Sequence, residues 1–280
     1  MVSMVELTDD LSAETDDLRA LVAGLDEAGW DTPTPAVGWA IRDQVSHLAY
    51  FDDAARTAIA DPGRFTAERD AAMADIDGMT ERVAATNRDR TGAELLEWLA
   101  EARAGLIEAA RAADPDLRTP WYGPPMSVAS QVTARIMETW AHGQDVADAL
   151  GVVRTPTGRL RHVAFLGVRT LPNSFLSHHL DVPAEPVRVE LVGPAGDRWD
   201  YGPADAPDRV CGPAVDFALA VTQRRHLDDL ALVVTGPVAT RWMSMAQAFA
   251  GPPGPGRPPG PFPGGPLPPG RPADPEGAHR

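Results

Sequence analysis

The chain has 280 residues and a formal net charge of −15 at pH 7, with 40 acidic residues against 25 basic ones. Such a charge disfavours nucleic acids and anionic membrane surfaces as partners, because both are bound mainly through Lys and Arg. No window of about 20 apolar residues is present to span a bilayer, and the acidic first ten residues are unlike a secretory signal. A cytoplasmic protein is expected.

Composition also limits the kind of metal site that the chain can build. Hydrophobic residues make up 44% of the chain, enough for a globular protein with a sizeable core. Cys211 is the only cysteine, so an intramolecular disulfide and a thiolate zinc knuckle are both excluded. A metal must therefore be bound through His and carboxylates. All 25 basic residues are Arg, a bias typical of a bacterial genome with a high G+C content.

Residues 1–151 carry the periodicity of amphipathic helices, with apolar positions at spacings of three, four and seven. Thr91 and Glu94 form a capping box before an apolar run, and Ser127 can cap a last long helix that ends at Gly151. The expected helical stretches are about 5–25, 40–60, 62–88, 91–107 and 127–151. Long helices joined by loops are typical of an antiparallel four-helix bundle, which is predicted for residues 1–151.

The pattern changes after Thr155, where strands begin to alternate with helices. Residues 187–192 alternate apolar and charged side chains, and residues 198–201 follow a turn as their hairpin partner. Further elements are expected as helices over about 158–179, 213–225 and 238–250 and as a strand over 230–234. Residues 152–250 are therefore predicted to form a small α+β domain. The whole chain is assigned to the α+β class, with mostly α-helix.

The last thirty residues have a composition unlike the rest of the chain. Residues 251–280 contain 12 Pro and 8 Gly without a strict Gly-x-y period. Such a segment buries too little apolar surface to offset the entropy of ordering it. We expect a disordered tail whose deletion leaves the melting temperature nearly unchanged; the alternative is a docking segment for a Pro-recognising partner.

Three residues form the constellation that carries chemistry. Glu138 and His142 are four residues apart on the last predicted helix, so that both side chains leave the same face. His47 lies on an earlier helix and would complete a three-ligand N,O set, which leaves room for water or substrate at a metal. Such donors suit zinc, and also nickel, iron or manganese. Without a metal, the same residues have ordinary roles as a helix-surface pair and a core histidine. Asp145 is a further candidate to orient His142.

Residues 38–48, with their Gly-Trp, Arg-Asp and His-Leu pairs, resemble the start of the second helix in mycothiol-dependent maleylpyruvate isomerase-like proteins. These proteins belong to the wider DinB/YfiT-like group of metalloproteins with four-helix bundles. Glu138 and His142, followed by Asp145, are similar to the ligand pair on the fourth helix of that family. The resemblance covers about residues 5–151 and extends loosely into the second domain.

The resemblance implies a divalent metal, most often zinc, held by His47, Glu138 and His142, with mycothiol as the thiol cosubstrate. A thiol on a metal loses its proton near neutral pH and becomes a nucleophile without a protein cysteine. The chain is therefore expected to be a mycothiol-dependent isomerase or S-transferase for a small electrophile similar to maleylpyruvate. In an isomerase the thiolate would add to a cis double bond and be eliminated after rotation; in a transferase the adduct would be released.

An anionic electrophile of this kind needs cationic partners. The candidates are Arg82, Arg224 and Arg225, with further arginines near the domain junction at Arg154, Arg159, Arg161 and Arg169. Each arginine also has an ordinary role as a solvated charge on an acidic surface. The alternative function is a non-catalytic, metal-binding regulatory or interaction protein of the same fold, and a third interpretation has no metal at all. A monomer and a homodimer both remain open.

Overall fold

The computed structural model describes residues 2–72, 78–251, 253–254 and 256–260. In this part of the chain, eleven α-helices and six strands form a mostly helical α+β fold, which confirms the predicted class. The helices are α1 (Met4–Val22), α2 (Glu27–Trp30), α3 (Ile41–Ala60), α4 (Pro62–Ala72), α5 (Met79–Asn87), α6 (Gly92–Ala112), α7 (Val128–Ala149), α8 (Leu160–Arg169), α9 (Leu171–Ser177), α10 (Ala214–Val221) and α11 (Pro237–Met243). The strands are β1 (Arg118–Thr119), β2 (Met126–Ser127), β3 (Val187–Val192), β4 (Arg198–Tyr201), β5 (Asp208–Pro213) and β6 (Val233–Thr235). Over the described residues, no helix is long and apolar enough to cross a membrane.

Two long helices begin at caps that the sequence predicts. Thr91 and Glu94 form the expected capping box before α6, with the Thr91 N–H donating to Glu94 Oε2 over 2.7 Å. Ser127 caps α7 by accepting a hydrogen bond from the Ser130 N–H. These side chains satisfy backbone N–H groups that a helix leaves without partners in its first turn.

The four long helices α1, α3, α6 and α7 pack against one another. Their apolar residues form two buried clusters, one around Leu18, Val45 and Leu99 and the other around Leu106 and Ile136. Removal of this apolar surface from water is the main force that holds the helices together. The stretch expected as one helix over 62–88 is instead two helices, α4 and α5, and residues 73–77 of it lie outside the described residues.

A charged cluster is buried where these four helices meet. Asp52 on α3 is fully buried, and its two carboxylate oxygens accept hydrogen bonds from the Nε atoms of Arg103 on α6 (2.5 Å) and Arg135 on α7 (2.9 Å). Arg103 also donates to Thr15 on α1 and to Thr139 on α7. Because an unpaired charge is costly in a protein interior, this cluster ties the helices to one relative arrangement.

The second half of the chain is built on a four-stranded sheet with the order β4-β3-β5-β6. β3 and β4 form the predicted antiparallel hairpin, with the predicted bounds. The parallel strand β5 is not predicted from the sequence, because it contains Val210 as its one β-branched residue and ends in Gly212 and Pro213. α8 and α10 contact each other, and α10 and α11 both contact β5.

Helices in the second half are shorter than their sequence pattern predicts. The helix expected over 158–179 is divided into α8 and α9 at Thr170, and Pro172, which lacks an N–H group, lies in the first turn of α9. α10 ends at Val221 and α11 at Met243, both before the expected bounds. β6 begins at Val233, three residues after the expected start of that strand.

α7 belongs to the cores of both halves of the chain. Val132 and Ile136 pack with the other long helices, whereas Met137, Trp140 and Ala141 pack with the helices and sheet of the second half. In the predicted division into residues 1–151 and 152–250, α7 falls in the first range, but it also packs in the core of the second.

Ion pairs also join α1 to the segment around α8. The Glu14 carboxylate, which is buried, binds both Arg154 and Arg159, and His162 Nε2 lies 2.7 Å from Asp10 Oδ2. Two of the arginines considered as substrate partners thus bind carboxylates of α1 in the described structure.

The segment after α11 returns to α7. The Arg257 side chain is 11% exposed and forms ion pairs with Asp145 and Asp148, and the Gly260 N–H donates to Asp229. These contacts differ from the detached tail that composition predicts from Gly251 onward. Residues 261–280 of that predicted tail lie outside the described residues.

Arg257→Ala is expected to lower the melting temperature, because the buried carboxylates of Asp145 and Asp148 then lose one of their cationic partners. The shift should be about 2–4 °C for each kcal/mol lost, and deletion of residues 251–280 should lower the melting temperature at least as much. Thermal unfolding followed by circular dichroism measures both. Arg241→Ala, on the exposed side of α11, is the control; equal melting temperatures for Arg257→Ala and the control would contradict a stabilising role for this contact.

Candidate metal centre

His47 on α3 lies opposite Glu138 and His142 on α7. The His47 Nε2 atom is 3.8 Å from Glu138 Oε2, and His142 Nε2 is 3.2 Å from the same oxygen. The centroids of the two imidazole rings are 4.4 Å apart. One potential ligand atom of each residue lies within 4.8 Å of the others, so the described structure brings together all three predicted ligands.

The start of α3 positions His47. Gly38 has a φ of +83°, which lets the chain turn before Trp39. The Asp43 carboxylate then accepts a hydrogen bond from the Ala40 N–H at the beginning of the helix, and Arg88 Nε lies 3.1 Å from Asp43. The Gly-Trp and Arg-Asp pairs of the sequence motif thus fix where α3 begins, and hence where His47 lies.

Hydrogen bonds determine which nitrogen of His142 carries the proton. The Thr34 hydroxyl donates to the Trp39 carbonyl oxygen (2.9 Å) and therefore accepts from Gln44 Nε2 (2.8 Å). Gln44 Oε1 can only accept, and it lies 2.5 Å from His142 Nδ1, which therefore carries hydrogen. The Nε2 atom therefore faces Glu138 Oε2 at 3.2 Å. A proton or a metal ion between these two atoms stabilises the pair, and Gln44 holds the ring in the orientation that a metal ligand needs.

His47 is neutral near pH 7. Burial, with a further contribution from His142, lowers the pKa of His47 to about 4. Its Nδ1 atom is buried without a hydrogen-bond partner among the described residues. Its ring contacts Trp39 and Phe51, with centroid distances of 5.4 and 4.6 Å. A neutral imidazole is the form that binds a metal, and here its apolar neighbours maintain that form.

Glu138 is ionised beside these two histidines. Burial alone would raise the pKa of Glu138, but interactions with His142 and His47 outweigh it and lower the pKa well below its usual range. The positive charge of Arg135, one turn earlier on α7, acts in the same direction. Two imidazoles and a carboxylate form a donor set that suits zinc and several other divalent metals.

A cavity of about 280 Å³ lies beside Glu138, between α7 and the segment that follows α11. Its volume is slightly below the range of about 300–1,000 Å³ for pockets that hold drug-sized ligands, so it fits a small molecule. The polar lining from α7 consists of Gln131, Arg135 and Glu138, and apolar side chains of the β1–β2 region, α8 and residues 248–250 face it. A small molecule in this cavity would contact Glu138.

The three arginines predicted as substrate partners lie elsewhere in the described structure. Arg224 Nη2 is 2.8 Å from Asp145, and Arg225 Nη1 is 2.6 Å from Asp148. Arg82 is exposed on α5. None of the three is among the described residues that line the cavity beside Glu138. Asp145 binds arginines, and the partner that orients His142 is Gln44.

Comparison with known proteins places the chain in a family. A family model for the N-terminal domain of mycothiol maleylpyruvate isomerase matches residues 11–147. A second family model, for wyosine base formation, matches residues 183–235, which include β3, β4 and β5. The chain belongs to the mycothiol-dependent maleylpyruvate isomerase-like family. This membership confirms the resemblance seen in the sequence.

Relatives of this isomerase-like chain extend over most of its length. Uncharacterized proteins from two strains of Mycobacterium tuberculosis, CDC 1551 / Oshkosh and H37Rv, are each 50% identical over 248 residues, which cover 89% of this chain and 96% of theirs. The crystal structure of the mycothiol-dependent maleylpyruvate isomerase has a TM-score of 0.57 at 16% identity, over 84% of this chain and 96% of that one. A histidine-to-alanine mutant of that isomerase gives the same TM-score at 15% identity. The two solved structures share the fold of this chain.

Gln44→Leu is expected to weaken metal binding by about 10- to 100-fold, because the residues that orient a ligating histidine contribute on this scale. Loss of the Gln44 carbonyl frees the His142 ring to change tautomer and to turn. Competition with a chromogenic zinc chelator measures the affinity. Gln144→Leu is the control, because Gln144 follows His142 by two residues on α7 and its side chain donates to Asp148. Unchanged affinity in Gln44→Leu would contradict the orienting role.

Proposed function

We propose that this chain is a metal-dependent, thiol-handling enzyme, either a mycothiol-dependent isomerase or an S-transferase that acts on a small electrophile similar to maleylpyruvate. The observation that carries the proposal is a two-histidine, one-carboxylate set beside a cavity. Family membership supports the thiol cosubstrate. We infer that His47, Glu138 and His142 are the ligands of a divalent ion, with zinc favoured by the donor set.

The donor set fits a metal in its protonation states as well as in its distances. His47 is neutral near pH 7, Glu138 is ionised, and the Nδ1–H group of His142 is bound by Gln44, so that its Nε2 atom faces Glu138. Three protein ligands leave further coordination positions open, as in catalytic rather than structural sites. A bound divalent ion would supply the positive charge that lowers the pKa of a thiol to near neutrality.

The nucleophile has to come from outside the chain. Cys211 on β5 is the only cysteine, and burial together with the nearby Glu190 raises its pKa, so it is a poor nucleophile near pH 7. It is not among the described residues that line the cavity. A low-molecular-weight thiol such as mycothiol fills this role in the proposed reaction.

The reaction itself divides into two outcomes after one shared step. The sulfur of the cosubstrate forms a C–S bond with one carbon of an activated cis double bond, and the other carbon takes a proton. In an isomerase, rotation about the new single bond and elimination of the thiol give the trans product. In a transferase, the adduct leaves. Trp39 and Phe51 contact the His47 ring and shield it in part from water.

We propose that an arginine binds the anionic group of the electrophile. The candidates from the sequence are Arg82, Arg224 and Arg225. In the structure, Arg224 binds Asp145 and Arg225 binds Asp148. Arg135 is the described arginine that lines the cavity.

The decisive experiment combines zinc-loaded protein, mycothiol and maleylpyruvate. Nuclear magnetic resonance would follow the cis and trans acids, and mass spectrometry would detect a thiol adduct. We expect conversion that requires both zinc and thiol, is lost after chelation and returns with zinc. Cys211→Ser is the control, because it removes the only protein thiol and should keep the activity.

The alternative is a non-catalytic metal protein that regulates or binds a partner. Zinc binding without thiol-dependent conversion of maleylpyruvate, or of other enedioyl and enone electrophiles, would favour that alternative. Absence of zinc binding would overturn both.

A further inference from the structure

The cavity beside Glu138 has a polar wall and an apolar wall. Gln131, Arg135 and Glu138 are spaced by four and three residues on α7, so they line one face of that helix. The rest of the lining is mostly apolar, with the polar Thr170 and Asn173 among it. Its larger apolar side chains outside α7 are Trp121, Met126, Leu166 and Phe249. A molecule that fills this space must therefore be polar on one side and apolar on the other.

Arg135 is the described cation of the cavity lining. Its Nε donates to Asp52 and its Nη2 to the Leu48 carbonyl oxygen, which leaves Nη1 without a partner among the described residues. The side chain is 4% exposed and is held rigidly by these two bonds. A guanidinium fixed in this way binds a carboxylate at little further entropic cost.

The charge of Arg135 is only partly compensated. Asp52 is shared between Arg103 and Arg135, so Arg135 has in common with a second guanidinium group the one carboxylate that it binds, while the buried Glu14 also acts on Arg103. Glu138 is the next anion along α7, and in the proposed function its charge is taken up by the metal. An anionic ligand in the cavity would therefore meet a net positive charge.

Gln131 provides a second polar group that lacks a hydrogen-bond partner among the described residues. Its Nε2 donates to Thr119, whereas its Oε1 atom is buried and has no hydrogen-bond partner among the described residues. A buried carbonyl oxygen without a partner is costly, and only a hydrogen-bond donor relieves that cost, so this atom takes no part in binding a carboxylate.

We propose that the electrophile is a monocarboxylate with an apolar body, its carboxylate bound by Arg135 and its body packed on Met126, Leu166 and Phe249. This inference rests on the proposed function, because it takes Glu138 as a ligand of the reactive centre. One cationic partner matches one carboxylate. The apolar wall favours an aryl or branched alkyl acid over a short dicarboxylate.

Binding of unreactive probes tests the inference without any thiol chemistry. The probes are 3-phenylpropionate, its neutral amide 3-phenylpropionamide, and succinate, each titrated into zinc-loaded protein by calorimetry. We expect 3-phenylpropionate to bind at least about 10-fold more tightly than either of the other two, the range of a hydrogen bond to a charged group. Equal binding of acid and amide, or tighter binding of succinate, would overturn the inference.

Substitutions test whether Arg135 causes the preference for 3-phenylpropionate over its amide. Arg135→Met should remove the preference for the acid over the amide. Arg103→Met is the matched control, because Arg103 is equally buried and shares Asp52 but does not line the cavity, so the preference should remain. If Arg135→Met does not fold, Gln131→Glu places an anion one turn from Arg135 and should weaken binding of the acid while sparing the amide. A preference unchanged in Gln131→Glu would contradict the assignment.

Rates of conversion of two electrophiles distinguish failure of the inference from failure of the proposed function. cis-3-Benzoylacrylate is an enedioyl monocarboxylate with an aryl body, and with mycothiol it should react faster than maleylpyruvate. If maleylpyruvate reacts, 3-phenylpropionate does not bind and cis-3-benzoylacrylate is not converted, the inference fails and the proposed function stands. If 3-phenylpropionate binds through Arg135 but neither electrophile reacts with the thiol, the proposed function fails and the binding site stands alone.

Discussion

Replacing His47 by alanine is expected to abolish stoichiometric metal binding. His47 is the ligand that α3 contributes, and without it the site is left with Glu138 and His142 from α7 alone. Two protein ligands are fewer than the three of known catalytic zinc sites, and affinity should fall accordingly. Elemental analysis after dialysis against zinc should find about one ion per chain in the wild type and close to none in the variant.

Another histidine of this chain provides the control. His178 is half-buried at the end of α9, and its Nδ1 lies 2.9 Å from the Ser174 carbonyl oxygen. His178→Ala should keep its zinc. Retention of a full equivalent of zinc by His47→Ala would exclude His47 from the ligand set. A double Glu138→Ala/His142→Ala variant that also kept its zinc would place the metal elsewhere in the chain.

Asp52→Ala is expected to destabilise the fold by about 3–5 kcal/mol, the usual cost of removing one partner from a buried ion pair. Arg103 and Arg135 would then lose the carboxylate that both of them bind, and each guanidinium would remain buried. Such a loss is a large part of the stability of a typical protein, about 5–15 kcal/mol. Urea denaturation followed by circular dichroism measures the change in free energy of unfolding.

The neighbouring Asp53 provides the control for Asp52. It lies on the same helix, keeps 34% of its side chain exposed and forms an ion pair with Arg56 over 2.8 Å. Asp53 also accepts a hydrogen bond from Trp98 Nε1 over 2.7 Å, so Asp53→Ala should cost about 1–2 kcal/mol, less than the loss expected for Asp52→Ala. Similar losses for the two variants would show that burial of Asp52 adds nothing to its contribution.

Elements with strong local signals could be predicted from the sequence. The alternation of residues 187–192 gives β3, and the Thr91 capping box gives the start of α6. β5 could not be predicted in this way, because Gly212 and Pro213 are unusual in a strand and its place is set by pairing with β3. The same applies to the break at Thr170, where a helical periodicity continues through the bend between α8 and α9.

The same difference between local and long-range signals applies to the residues of the candidate site. Glu138 and His142 could be paired from their spacing, because residues four apart share a helix face. Gln44 and Arg135 could not be assigned, since their roles depend on side chains from distant segments. Their one local signal is that each is a polar residue on a buried face of its helix. Asp145 shows the converse, because its spacing from His142 suggests a partner but its carboxylate binds Arg224.

The sharing of α7 between two cores has an evolutionary consequence. Glu138 lies between Met137 and Thr139, and Met137 packs with the second half of the chain while Thr139 bonds to Arg103 of the first. A change of packing in the second half would therefore rotate the helix that carries two of the three candidate ligands. Residues 152–250 therefore cannot be exchanged between relatives as an independent domain. Its substitutions should instead appear together with compensating changes on the inner face of α7.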